Sequence, residues 1–205
     1  KGKLTIHSVE KNTNLKLLDE KVAQLIPGDV LISDDKNPLV LAGIMGGESC
    51  GVNDKTTKIY LEAAVWDAAK IRTTATRLGL RTDASSRFEK SLDPVSSYGA
   101  LLRAIELIKE IIPAAKISHA PESWTLKEYR EYPLSIEASP AKIQSLLGTN
   151  LPTQKIKDLI LSLGFLIEEK NNNWTVKVPS FRATKDISIM EDLVEEVGRL
   201  IGYDN

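Results

Sequence analysis

The sequence predicts an α+β protein in two successive modules, and three observations carry the prediction. Short β-rich runs fill the opening third. Apolar residues then recur every 3.6 residues from about residue 95, and beyond about residue 132 helix and strand signals start afresh with caps of their own. A mixed α/β module is therefore expected over residues 1–131. A small α+β module of three helices and a short antiparallel sheet is expected over residues 132–205.

In the first module residues 4–8 alternate, residues 29–33 are β-rich, and residues 38–42 form a compact apolar run that ends in the glycine-rich segment 43–47. Residues 58–64 predict a strand with Ile59, Leu61 and Ala63 on one face and Tyr60, Glu62 and Ala64 on the other, so that Glu62 is expected on a rigid support. Asp67 suits the N-cap of a helix to about Leu78, and Gly79 suits its left-handed stop. A longer helix over residues 95–112 carries Tyr98, Leu101, Leu102, Ile105, Ile108 and Ile112 on one stripe, expected to pack on a core before Pro113 ends it. Residues 118–132 mix Pro121 with charges and aromatics without a period, which places the module boundary close to Tyr132.

The second module opens with a strand over residues 133–138 and a helix capped by Ser139, with Pro140 at its first position and Gly148 at its stop. Another helix carries Ile156, Leu159, Ile160 and Leu163 up to Gly164. A hairpin of residues 165–169 and 174–178 turns at Asn171, Asn172 and Asn173, because asparagine tolerates positive φ. The last helix, residues 188–201, is expected to face Ile189, Leu193, Val197 and Leu200 inward and to stop at Gly202. No internal repeat and no low-complexity tract interrupts this order.

Composition excludes several classes. With 42% hydrophobic residues the chain has material for a buried core, and with a formal net charge of -1 it has no global field for nucleic acid. Any RNA contact must rest on a local patch. The single cysteine, Cys50, has no internal partner for a disulfide, and neither an apolar run of about 20 residues nor a charged leader is present, so a cytoplasmic protein without membrane contact is expected. The first residue is Lys1 and the sequence stops just beyond a helix end, a pattern expected of a piece of a longer protein.

His7 and His119 are the only histidines, and neither stands in a motif with a serine or cysteine nucleophile, which argues against a catalytic triad. One cysteine and two distant histidines do not supply the soft ligands of a zinc site. No Gly-Lys-Ser/Thr follows the glycines of residues 43–51, so a tight turn explains them better than a phosphate loop. Residues 70–90 hold six basic side chains, Lys70, Arg72, Arg77, Arg81, Arg87 and Lys90, against the two acids Asp83 and Glu89. This stretch suits RNA phosphates, and equally an ordinary solvated helix face with one Arg87 ion pair. The last segment is the reverse: Asp186, Glu191, Asp192, Glu195, Glu196 and Asp204 face only Lys185 and Arg199. Asp192, Glu195 and Glu196 recur at one helix face, and hard oxygen ligands at that density suit magnesium. Acids in a first helical turn also simply complement the macrodipole.

Five motifs stand in a fixed order: Met45-Gly46-Gly47-Glu48, Leu61-Glu62-Ala63-Ala64, the run from Arg81-Thr82-Asp83-Ala84 to Arg87-Phe88-Glu89, Val178-Pro179-Ser180-Phe181-Arg182, and Asp192-Leu193-Val194-Glu195-Glu196 continuing to Asp204. Through most of its length the chain thereby resembles the middle of bacterial-type phenylalanyl-tRNA synthetase beta chains, from the tRNA-editing module into the fifth module that follows it. Lys90-Ser91-Leu92 departs from the family's more usual Arg-Gly-Val ahead of Asp93-Pro94.

The resemblance implies a heterotetramer of two alpha and two beta chains, with an ATP-using aminoacylation site in alpha and an editing site in beta. That editing site hydrolyses tyrosine wrongly esterified to tRNA(Phe), and its pocket maps onto Gly46, Glu62, Thr82 and Ala84. Glu62 and Thr82 carry the catalytic roles: the carboxylate accepts a hydrogen bond from the tyrosine phenol, and the hydroxyl orients a water or the substrate. Gly46 and Ala84 let substrate and backbone approach closely. The family's site also draws on a histidine-containing segment upstream of Lys1. In the fifth module, Asp186, Asp192, Glu195 and Glu196 match a Mg2+ site shared with the alpha subunit. The partners implied are the alpha subunit and tRNA(Phe). Two other readings remain beside this one: a scaffold that docks tRNA and the alpha chain without hydrolysis, and a DNA-binding helical module at the C-terminal end, which the acidic last helix opposes.

Overall fold

Strand pairing organises the first 46 residues in the computed structural model, which describes residues 3–123 and 134–202. The chain divides into two units, Lys1–Ile111 and Ile112–Asn205. The boundary expected near Tyr132 falls outside the described residues.

In the first unit β1 (Thr5–Ser8), β4 (Val30–Ser33), β5 (Pro38–Leu41) and β6 (Met45–Gly46) form one antiparallel sheet in the order β1-β4-β5-β6. A separate hairpin pairs β2 (Thr13–Lys16) with β3 (Val22–Leu25), joined to β6 by a bridge between Leu17 and Gly47. This hairpin was not expected, although Leu15 and Leu17 alternate with Asn14 and Lys16. Leu15, Leu17, Leu25, Leu31, Leu41 and Ile44 bury themselves with Ile71, Ala75 and Leu80 from the helical part, so the core lies between the strands and α1 (Ala68–Leu78). Each such side chain removed from water contributes about 1.5–3 kcal/mol.

α1 begins where expected: the Asp67 carboxylate accepts from the Lys70 backbone N–H at 2.9 Å, and Gly79 ends the helix in the left-handed region. A short helix α2 (Asp83–Phe88) and a long α3 (Ser96–Ile111) follow.

Two expectations fail here. Residues 58–64 form no strand, and Tyr60 is 79% exposed. A strand exists only where a partner ladder satisfies its N–H and C=O groups, and among the described residues none lies beside this segment. The apolar stripe of α3 likewise meets no core among the described residues: no residue of the helix is fully buried, and Ile111 is 79% exposed.

In the second unit β7 (Ser135–Ala138), β8 (Leu166–Lys170) and β9 (Asn173–Lys177) form an antiparallel sheet in the order β7-β9-β8. Asn171 and Asn172 take positive φ at the hairpin turn, as expected. α4 (Pro140–Leu147) and α5 (Thr153–Ser162) precede the hairpin, and the four-residue α6 (Ser180–Ala183), absent from the sequence reading, and α7 (Met190–Ile201) follow it. Ser139 holds the N-cap position of α4 without a side-chain hydrogen bond, so Pro140 at the first turn and Gly148 at the stop define that helix. The core gathers Ile136, Ile143, Ile156, Ile160, Phe165, Trp174, Val176, Leu193 and Val197. On α7 Leu193 and Val197 point inward as expected, joined by Met190, whereas Leu200 is 39% exposed and Ile189, which serves as N-cap and not as a helical residue, is 53% exposed.

Candidate functional site

The segment between residue 57 and Asp67 has no regular secondary structure, and Trp66 near its end is pinned against the glycine-rich turn. Gly43 sits at φ +66, and a Cβ there would lie 2.6 Å from the Trp66 ring and 2.8 Å from Ile71 Cδ1. Only glycine permits both that backbone conformation and that approach. The fit fixes one end of the segment that carries Glu62.

Glu62 lines a cleft of about 480 Å³ between residues 61–65, Phe88 of α2, Leu92, and the α3 side chains Ser97, Leu101 and Ala104. It is the only titratable residue of that lining. The side chain stays open to solvent at the mouth, but the apolar walls crowd its carboxyl, and this burial pushes the group above the ordinary glutamate range. The Trp66 indole N–H lies close enough to pull weakly the other way, without the geometry of a hydrogen bond. A carboxyl in an apolar cleft is suited to accept a hydrogen bond from a ligand hydroxyl buried beside it.

Gly46, Thr82 and Ala84 do not line this cleft. The Thr82 hydroxyl donates to the Ile44 carbonyl oxygen at 2.8 Å and accepts from the Ser85 backbone N–H at 3.0 Å, while Ser85 Oγ accepts from the Thr82 N–H at 2.9 Å. Thr82 thus caps α2 and ties it to the strand end that leads to Gly46. At Gly46 a Cβ would meet Leu18 Cδ1 at 3.0 Å, so the missing side chain makes room for Leu18. Ala84 stands in the first turn of α2, half-buried. The structure ties Thr82 of the α2 start to Ile44, two residues before Gly46, and sets Glu62 in a cleft that none of the three lines. Phe88 and Leu92 stand within or beside the motifs named from the sequence but had no expected site role, and Trp66 was not singled out, although a tryptophan four residues beyond Glu62 was the signal for it.

Of the basic stretch, Lys70, Arg72, Arg81, Arg87 and Lys90 are exposed, and Lys90 lies 3.2 Å from Glu89. Arg77 is exposed too, but its guanidinium is engaged: it pairs with buried Asp29 and donates to the Gln24 carbonyl oxygen at 3.0 Å. Asp29 also accepts from the Thr74 hydroxyl at 2.7 Å and the Ile26 N–H at 2.9 Å.

In the second unit Asp186 and Glu196 share Arg182 as a partner. Asp186 pairs with Arg182, Asp192 accepts from the Ser188 and Ile189 N–H groups at 2.7 and 3.0 Å, and Glu196 is held by Arg182 and Arg199. Glu195 lies exposed on α7. Among the described residues no three His, Cys, Asp or Glu side chains converge on a metal position. As arranged in this chain the four carboxylates do not by themselves form a magnesium cage.

The fold and the cleft define a two-unit α+β chain with an apolar cleft of ligand size in its first unit. The chain belongs to the B3/4 domain family, which it matches over residues 1–113. Residues 136–203 match the tRNA synthetase B5 domain. The phenylalanine–tRNA ligase beta subunit of Solibacter usitatus (strain Ellin6076) is 40% identical over 191 residues, covering 92% of this chain and 24% of that protein. The one of Lactobacillus johnsonii (strain CNCM I-12250 / La1 / NCC 533) is 36% identical over 204 residues, covering 100% of this chain and 25% of the relative. The chain therefore spans about a quarter of the length of the curated relatives it matches. A crystal structure of an N-terminal fragment of the phenylalanyl-tRNA synthetase beta-subunit from Pyrococcus horikoshii aligns with a TM-score of 0.48 at 16% identity, over 100% of this chain and 57% of that one.

Proposed function

We propose that this chain is the editing and subunit-interface portion of a phenylalanine–tRNA ligase beta subunit, and that its first unit hydrolyses tyrosine wrongly esterified to tRNA(Phe). The observation that carries the proposal is the lone carboxyl of Glu62 in an otherwise uncharged, largely apolar cleft. An apolar pocket built for phenylalanine rejects an added hydroxyl by only about 100-fold, so a second sieve must read that hydroxyl. Tyrosine offers its phenol O–H to Glu62, whereas phenylalanine leaves the carboxyl desolvated and unpaired. Phe88, Leu92 and Leu101 supply the walls for the ring.

With no titratable group but Glu62 in the cleft, hydrolysis rests on placing the ester and a water and on backbone N–H groups that stabilise the oxyanion. Thr82 then acts by holding the α2 N-terminus and the Gly46 turn in register, since its hydroxyl is engaged on both sides. Ala84, in the same turn, keeps the approach unobstructed.

In this reading the alpha subunit completes a heterotetramer of two alpha and two beta chains, carries the aminoacylation site and uses the ATP. The setting is the cytoplasm, and among the described residues no helix is long and apolar enough to cross a membrane. Exposed Lys70, Arg72, Arg81 and Lys90 face the tRNA phosphates.

Docking of tRNA without hydrolysis is favoured by one observation, the separation of Gly46, Thr82 and Ala84 from the Glu62 cleft. Hydrolysis of labelled Tyr-tRNA(Phe) beside Phe-tRNA(Phe), with this chain and with the intact two-subunit enzyme in parallel, separates the two. Selective loss of the tyrosyl ester supports editing; equal persistence of both esters with both proteins supports docking alone.

A further inference from the structure

Among the described residues, Trp66 Nε1 is the buried side-chain polar atom that has no hydrogen-bond partner. An indole N–H without an acceptor costs about 1–3 kcal/mol in lost solvation, and native structures rarely retain one without a use. The ring is not free to seek solvent, because its edge lies against the Gly43 backbone and it packs on the core of the first unit. The acceptor it approaches is the Glu62 carboxyl, which lines the ligand-sized cleft. Asp67, the next residue, spends its own carboxylate on the N-terminus of α1.

We infer that Trp66 is a positioning residue for Glu62: when a hydroxyl-bearing ring fills the cleft and water leaves, the indole N–H hydrogen-bonds one carboxylate oxygen and leaves the other for the ligand's O–H. The inference rests on the editing reading of Glu62 and adds the residue that aims it. A carboxylate on a segment without a strand ladder has several rotamers available, and a fixed donor selects one of them. The same donor favours the ionised form. The walls facing Glu62 from α2, from Leu92 and from α3 carry no titratable group, so the indole N–H is the polar group on hand to do so.

Two measurements test it. In this chain labelled with 15N-tryptophan, the indole N–H resonance of Trp66 should titrate between about pH 3 and about pH 8 with a midpoint above that of an ordinary glutamate. It should lose that titration in Glu62→Gln, while Trp174, buried in the second unit, stays flat. A Trp66 resonance that is indifferent to pH, or that titrates unchanged in Glu62→Gln, overturns the inference without requiring any Trp66 variant to fold. In the intact two-subunit enzyme, Trp66→Phe should lower kcat for Tyr-tRNA(Phe) hydrolysis about tenfold and move the acid limb of its pH profile upward, because removing the donor raises the proton affinity of Glu62. If Glu62→Gln hydrolyses as fast as wild type, the editing reading itself fails. If Glu62→Gln is impaired but Trp66→Phe keeps both rate and pH profile, only the role of Trp66 fails.

Discussion

Arg182 Nη2 lies 3.0 Å from Glu196 Oε1, and both side chains are largely withdrawn from solvent. The same guanidinium pairs with Asp186 and stands 5.9 Å above the Phe165 ring, so one side chain joins the α6–α7 region to the hairpin core. Removing one partner of such a pair leaves a charge with poor solvation. Glu196→Ala should therefore destabilise the second unit by about 2–4 kcal/mol, read as a drop in the urea midpoint. A change below about 0.5 kcal/mol would mean that solvent replaces the carboxylate without loss.

Acid should act through the same group. The Arg182 guanidinium foremost, and Arg199 with it, holds the Glu196 carboxyl below its ordinary value of 4.5. A folded pKa below the unfolded one gives stability that is complete above the unfolded value and is lost as pH falls through the folded one. Stability of the second unit should thus decline as pH drops below about 4.5, with a shallower decline in Glu196→Gln. Parallel slopes in urea titrations over that window would contradict the assignment.

Asp192 makes a second test of how the acids are used. Its carboxylate accepts from two N–H groups at the start of α7, and the Ser188 N–H foremost holds it below the usual aspartate range. Asp192→Ala should cost about 1 kcal/mol of stability in a metal-free buffer, the ordinary value of a helix N-terminal acceptor. Chelator-treated wild type should match untreated wild type, since the bond is to backbone and not to an ion.

Gly43 and Gly79 share nearly the same left-handed φ, +66 and +65, but differ in their surroundings. A Cβ at Gly79 meets nothing within 4 Å, whereas one at Gly43 strikes Trp66 and Ile71. Gly79→Ala should cost about 1–2 kcal/mol from backbone strain alone. Gly43→Ala should cost about 1–3 kcal/mol more and change the fluorescence of Trp66, because the ring must move. Equal thermal shifts for the two variants would show that the contact at Gly43 relaxes freely.

The six basic residues of 70–90 should separate into two groups. Arg72→Ala and Arg81→Ala, at exposed positions, should leave the melting temperature unchanged and each reduce the salt slope of tRNA binding by about 1. Arg77→Ala should instead lower the melting temperature, because it leaves Asp29 buried with one partner fewer.

What was legible in the sequence was local. Asp67, Gly79, Gly148 and the Asn171–Asn172 turn act through bonds within a few residues, and each is found where the sequence places it. Residues 58–64 misled because alternation names the faces of a strand but not its partner. The stripe of α7 held at Leu193 and Val197 but not at Ile189, which is apolar and in phase yet caps the helix and does not join it. At the site, Glu62 could be singled out by motif, but its neighbour Trp66 depends on a glycine distant in sequence. The capping role of Thr82 was written in the Thr-x-x-Ser spacing of residues 82–85 and overlooked in favour of catalysis.

The most direct test of the account is the product made by the intact two-subunit enzyme carrying Glu62→Ala when it is offered tyrosine. Editing through Glu62 predicts that Tyr-tRNA(Phe) accumulates while phenylalanine charging and subunit assembly stay at wild-type levels. Product as free of tyrosine as that of the wild-type enzyme would contradict the role given to Glu62.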